Sequence, residues 1–265
     1  MNDMNELREL LEINRHIFYY TSLESLSGIF PLNDSQINLF ASHYKYLNDK
    51  EEIALGQKVI KNMQKTAGKR INPFNPIEKD AYILSFSQKS DSLPMWSMYG
   101  KNGGGVMLSL DTNEILKQDI LRKCYYYDNS KGLDPDDELY KLKENYQKYV
   151  NDFNQGSTQS SDMTNWKIRF DILPYIIKGD YFRYEDEVRI IEENIRMCRY
   201  TILYRFGENG YIPYVVKKFP KKALDSIMVG PISNSKMIIE KIKLHLQKFG
   251  CNNVNVKISR IPYRG

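Results

Sequence analysis

Hydrophobic positions along the chain follow two periods. Short apolar runs read as strands at 17–22 (IFYYTS), 36–44 (QINLFASHY), 81–87 (AYILSFS), 106–110 and 122–128. More strands follow late: YEDEVRIIE, CRYTILYRF, YIPYVVKKF, ALDSIMVGP and VNVKISRIPY, with GENG as a hairpin signal. Helical spacing marks ELRELLEINRH and SLESLSGIF, the latter capped by Ser22. It also marks 48–68, which opens at Asn48–Asp49 with Glu51 and Glu52, a polar helix within 129–165, and a helix ending at Gly250. Strands and helices do not alternate strictly. The pattern predicts an α+β chain with a mostly antiparallel or split sheet. We read one domain over 1–265 with a helical insertion at about 129–178, because no Pro/Gly/Ser linker divides the chain.

Composition is that of a globular protein, with 42% apolar and 12% aromatic residues. The net charge of +5 hides an asymmetry. Residues 196–265 hold 14 Lys and Arg against three acids, +11, and the remainder is −6. A basic C-terminal third suggests a nucleic-acid partner; a solvated basic face, or one packed on acidic surface, explains it slightly better, because the lysines are scattered rather than gathered in one short patch. Cys124, Cys198 and Cys251 have no CxxC spacing, and His16, His43 and His245 lie far apart, so no metal is expected. The charged N-terminal segment and the lack of a long apolar run predict a cytoplasmic location and no membrane contact.

YFRYEDEVRII (181–191) carries the most unusual chemistry. As a strand it puts Glu185 and Glu187 on one face. One reading is an exposed charge ladder in which Arg183 and Arg189 pair with the glutamates. The other is a carboxylate pair lining a cleft. Ser85 and Ser87 share a face of the 81–87 strand and either satisfy local backbone or bind a sugar or amide. Tyr19 and Thr21 face one way and Tyr20 the other, as aromatic core or as a cleft edge. KNGGGVML lacks the Lys-Ser/Thr of a phosphate loop and reads as a tight turn into a strand.

The ordered blocks IFYYTSLESLSGIF, NLFASHYKYLNDKEE, YILSFSQKSDSLPMWSMYGKNGGGVMLSLD and YFRYEDEVRII resemble a bacterial domain-of-unknown-function family, number two-nine-seven-one, over roughly 17–231. A looser resemblance is to the ADP-ribosyltransferases. Tyr19-Tyr20-Thr21 stands where those enzymes carry His-x-Thr, Ser85-Phe86-Ser87 looks like Ser-Thr-Ser, and Glu185-Asp186-Glu187 like Glu-x-Glu. That resemblance implies a split, mostly antiparallel sheet flanked by helices, with NAD as substrate. It implies Glu187 on the ribosyl cation, Glu185 on the acceptor and Tyr19 at the nicotinamide ribose. Tyr20, Thr21, Ser85 and Ser87 would bind NAD, and Trp96 and Tyr99 would stack on a ring, although core packing suits Trp96 better.

The function implied is a mono-ADP-ribosyltransferase acting on RNA, DNA or protein, as a toxin or phage-defence effector held off by a neutralising protein. The alternatives are a non-catalytic nucleotide- or nucleic-acid-binding module, which the absence of His or Arg at Tyr19 favours, and an NAD glycohydrolase. The enzymatic reading requires both carboxylates and both serine hydroxyls to meet in one pocket. It collapses if those oxygens face opposite sides of the molecule or are taken by guanidinium neighbours.

Overall fold

Chain order is β1 (His16–Thr21), α1 (Leu26–Ile29), β2 (Gln36–His43), α2 (Glu52–Thr66), β3 (Tyr82–Ser87), α3 (Leu93–Met98), β4 (Val106–Asp111) and α4 (Thr112–Leu116). There follow β5 (Arg122–Lys123), β6 (Tyr125–Tyr127), α5 (Glu138–Asn154), β7 (Ile177–Gly179), β8 (Glu187–Glu192), β9 (Leu203–Gly207), β10 (Gly210–Pro220), β11 (Leu224–Val229), α6 (Lys236–Phe249) and β12 (Asn255–Ile258). The structure is a computed structural model that describes residues 13–49, 51–66, 80–133, 138–157, 168–193, 200–207, 210–233 and 236–263. Most of the helix expected at ELRELLEINRH, the polar stretch up to 165 and Cys198 lie outside the described residues.

The chain divides into two compact units. One holds 1–43, 82–123 and 184–265, the other 44–81 and 124–183. In the second, β6 and β7 pair in parallel and α2 runs against the 173–175 turn. Tyr146 meets Phe170 edge-on at 4.7 Å. Asp49 accepts the Glu51 N–H at 2.9 Å, in the turn just before α2.

The first unit contains a sheet of ten strands among the described residues, in the order β12-β11-β4-β1-β3-β2-β10-β9, with β8 on β3 and β5 on β8. All its pairings are antiparallel except β11–β12. The expected mixed fold with a mostly antiparallel sheet flanked by helices is therefore the observed one. One face carries the main core: Ile17, Leu84, Phe86, Leu108, Val188 and Ile190 pack with Leu26 and Ile29 of α1, Ile115 of α4 and Leu246 of α6. A smaller cluster on the opposite face joins Tyr20, Met107 and Met228 to Met95 and Trp96 of α3.

β3 is the pivot. One of its edges pairs with β8 throughout, from Tyr82↔Glu192 to Ser87↔Glu187. Its other edge is shared. β1 meets it only at Phe18↔Ser87, and β2 only at Ser42↔Ile83 and His43↔Tyr82. Between those pairs Leu84, Ser85 and Phe86 have no ladder partner on that edge among the described residues, so the sheet splits there. The split arises because β1 follows β4 over its whole length while β2 follows β10, and strands committed to different partners diverge as the sheet twists.

Three expected elements differ. The helix after β1 shrinks to α1, and Ser22 accepts the Ser25 N–H at 3.3 Å outside it. The strand expected over 122–128 breaks into β5 and β6, which belong to different sheets. The strand expected across 184–192 begins only at Glu187, because 180–185 is a 3-10 turn.

Gly250 has φ +87 and ends α6 as expected, its N–H on the Gln247 carbonyl while Cys251 N–H reaches Leu246. KNGGG is the tight turn read from sequence. At Gly105 an added Cβ would lie 2.2 Å from the Thr21 carbonyl oxygen, so only glycine lets the turn close on the end of β1. Gly105→Ala is expected to cost roughly 1–3 kcal/mol in urea unfolding, by forcing two backbones apart. Wild-type stability would show that the turn yields freely.

Candidate active site

Two glutamates are set at the start of β8 by a single unusual residue. Asp186 has φ +43, a conformation Asp tolerates better than most residues. Its carbonyl accepts the Gln88 N–H at 2.9 Å, and its carboxylate accepts from Gln88 Nε2 at 3.1 Å and lies 3.3 Å from Lys89 Nζ. Ser87 Oγ donates to the Glu185 carbonyl at 2.5 Å and accepts the Lys89 N–H at 3.0 Å. Glu185 thus closes the 3-10 turn, Asp186 reverses the backbone, and Glu187 opens the strand. The period-2 count that placed both glutamates on one strand face fails at Asp186.

Glu187 and Arg189, 4% and 1% exposed, project from the β8 face opposite Val188 and Ile190. Arg189 Nε donates to Glu187 Oε1 at 2.7 Å and Nη2 to Oε2 at 2.9 Å. This bidentate pair fixes the plane of the carboxylate. Across the ladder, Ser87 is in register with Glu187 and Ser85 with Arg189. Glu185, 2% exposed, receives a 2.7 Å hydrogen bond from the Tyr99 hydroxyl at Oε1. The charge ladder of the first reading is therefore buried rather than exposed, and only its Arg189 half forms. Arg183 pairs with Asp180 at 2.5 Å instead.

Ser87, Tyr99, Glu185 and Glu187 come together, and half-buried Ser85 lies in the sheet split beside them. The serine hydroxyl of Ser87, however, binds backbone groups, the plainer of its two readings, and the Glu187 oxygens are held by a guanidinium.

Other candidates fall elsewhere. Tyr19 packs on the main-core face with Phe86, ring centroids 6.1 Å apart, away from the face of Ser87 and Glu187. Burial raises its phenol pKa, against a smaller opposing pull from Arg205. The Tyr20 hydroxyl donates to the Lys89 carbonyl at 2.8 Å and accepts the Ser92 N–H at 3.1 Å, which ties down the loop after β3. Trp96 is fully buried, meets Tyr20 edge-on at 5.0 Å and donates its indole N–H to Asp91 at 2.9 Å. It is a core residue and presents no face for a ligand. Thr21 ends β1 in register with Val106.

Four lysines of the basic third, at 217–222, are engaged. Lys217, 5% exposed, donates to Asp119 at 2.6 Å, to Tyr200 at 2.8 Å and to Glu192. Burial alone would lower its pKa, and those three hydrogen bonds outweigh it and leave it raised. Lys218 pairs with Asp34 at 2.6 Å, Lys222 with Glu114 at 2.8 Å, and Lys221 binds the Phe249 carbonyl. The reading of basic side chains packed on acidic surface holds for Lys217, Lys218 and Lys222.

Local pattern did not reveal the contact of Arg205 Nη2 with Ser42 Oγ at 2.8 Å, between residues 163 apart in sequence. The left-handed turn at Asp186 had a faint signal, an Asp between two glutamates. Among the described residues no group of three or more His, Cys, Asp or Glu gathers to hold a metal, and no helix is long and apolar enough to cross a membrane.

Removing one member of the Glu187–Arg189 pair should strand a buried charge. Glu187→Gln and Arg189→Met are each expected to lose roughly 3–5 kcal/mol in urea unfolding, whereas a double change to Met recovers most of the loss. Singles that unfold like wild type would mean the pair is not buried as described.

The family described as "Protein of unknown function (DUF2971)" matches residues 95–190. That stretch holds Trp96, Tyr99, Glu185, Glu187 and Arg189 but not Tyr19, Ser85 or Ser87. No curated protein matches the chain. Among solved structures, Thermus sp. 2.9 DarT in complex with ADP-ribosylated ssDNA is similar at 13% identity, over 92% of this chain and 93% of that one, with a TM-score of 0.36. The same protein in complex with carba-NAD+ is similar at 14% identity, over 92% and 95%, with a TM-score of 0.35.

Proposed function

We propose that the chain is an NAD-consuming mono-ADP-ribosyltransferase that modifies nucleic acid or protein as a toxin or phage-defence effector, restrained by a neutralising partner. The observation that carries this reading is the register Ser87↔Glu187 and Ser85↔Arg189 beside a split in the sheet, which brings a fixed carboxylate against two hydroxyl-bearing positions. In this reading the bond from C1′ of the ribose to nicotinamide breaks and its electron pair leaves with the ring. Positive charge then grows on C1′ and the ring oxygen. Glu187, held by Arg189, faces that charge and grips the ribose hydroxyls. The acceptor attacks C1′, and Glu185 takes its proton, with Tyr99 orienting the carboxylate. Ser85 supports the nucleotide at the split. Tyr19 lies on the other sheet face and has no part in bond cleavage here.

At 4% exposure Glu187 accepts a ribose only if its cover opens. The same closure, with both carboxylate oxygens on Arg189, favours a second reading: a non-catalytic nucleotide- or nucleic-acid-binding module.

Incubation with NAD labelled in its adenosine half, plus RNA, DNA or lysate, separates the readings. Nicotinamide release with label on a macromolecule is the expected result. Release without label would make the protein an NAD glycohydrolase, and no release from folded protein would leave the binding module. Glu187→Asp, which keeps the charge on Arg189, should cut release by roughly 100-fold or more, as expected for a displaced electrostatic group. Glu185→Gln should spare release and reduce transfer.

A further inference from the structure

Arg205 stands at one lip of the sheet split. Its anchor, Ser42, is in register with Ile83 in the β2–β3 pair that borders the gap, while Phe18↔Ser87 borders it on the far side. Ser85 lies between the two lips, half-buried. The guanidinium rests over the Tyr214 ring, 5.7 Å from its centroid, and Tyr214 meets Phe40 edge-on at 5.5 Å. Arg205 itself is exposed.

The charge of this arginine is not neutralised. Of five N–H donors, one is seen to bond, to the neutral Ser42 hydroxyl, and no carboxylate among the described residues pairs with it. The lysines nearest in sequence behave differently, since Lys217, Lys218 and Lys222 each hold an acid. A guanidinium that lies over an aromatic ring, anchored at one corner and open at the rest, is pre-set for a phosphoryl group.

We infer that Arg205, anchored on Ser42 and backed by Tyr214, forms a phosphate-binding subsite at the split that takes the pyrophosphate of a nucleotide. The subsite rests on the transferase reading for its place in a reaction, since a dinucleotide held here by its phosphates would run along the gap over Ser85. Binding of phosphates does not require turnover, so the two ideas can be tested apart.

Titration calorimetry with ADP, adenosine and a short single-stranded oligonucleotide is the test, on the full chain and on Arg205→Ala and Arg205→Lys. ADP should bind wild type more tightly than adenosine. Arg205→Ala should weaken ADP roughly 10- to 100-fold and leave adenosine unchanged, the size expected for losing a charge-assisted hydrogen bond. Arg205→Lys should recover only part of the loss, because a compact ammonium cannot make the forked contact. If wild type does not bind ADP, or if Arg205→Ala binds it equally well and only melts earlier, the arginine merely staples β9 to β2 and the subsite is wrong. Loss of oligonucleotide binding alone, with ADP untouched, would likewise overturn it. ADP binding that depends on Arg205 in a protein that never releases nicotinamide would keep the subsite and discard the transferase.

Discussion

A buried carboxylate clasped by a buried guanidinium sets the conditions around the start of β8. Burying either charge alone costs several kcal/mol, so Glu187 and Arg189 are tolerable only as a pair. The pair is possible because they lie two residues apart on one strand face while Val188 and Ile190 commit the opposite face to the core. β8 must then stay in register with β3, since a one-residue slip would turn the charges into the apolar core and the apolar residues away from it. Ser87 adds to the same constraint from β3 by holding the Glu185 carbonyl.

That fixed ladder leaves the opposite edge of β3 to be shared by β1 and β2, and neither follows it through. The gap at Leu84–Phe86 is a consequence of strand commitments rather than of any local breaker. Around it lie two unlike sets of groups. On the β8 side the charges are paired and closed in; at the β2 lip one guanidinium has no acid among the described residues. A nucleotide substrate needs both kinds of environment, a fixed carboxylate for developing positive charge and a cation for phosphates. Their placement on either side of Ser85 is what makes a transferase geometry coherent here. The closed state of Glu187 is also what makes a silent binding module a real competitor.

Three C-terminal lysines show how part of a charge excess is taken up inside the fold. Net charge is a sum and says nothing of pairing. Lys217 lies inside the protein with two carboxylates and a phenol, and Lys218 and Lys222 answer acids more than a hundred residues away. A cation already neutralised has little left to offer a phosphate backbone.

By itself the sequence determined what local physics decides. Period-2 apolar runs placed most strands, Gly250 ended α6, and the glycine-rich turn led into β4, because each depends on a few neighbouring residues. It also put Ser85, Ser87, Glu185 and Glu187 forward as one group. Tertiary structure decided the rest. One left-handed residue at Asp186 broke the strand count and gave each glutamate its own partner. Sheet register sent Tyr19 to the face away from Glu187, and packing closed Trp96 into the core. The meeting of Arg205 with Ser42 across 163 residues depends on β9, β10, β2 and β3 lying side by side. No periodicity encodes such a contact, because it is set by which strands pair and in what register, and those are properties of the whole sheet.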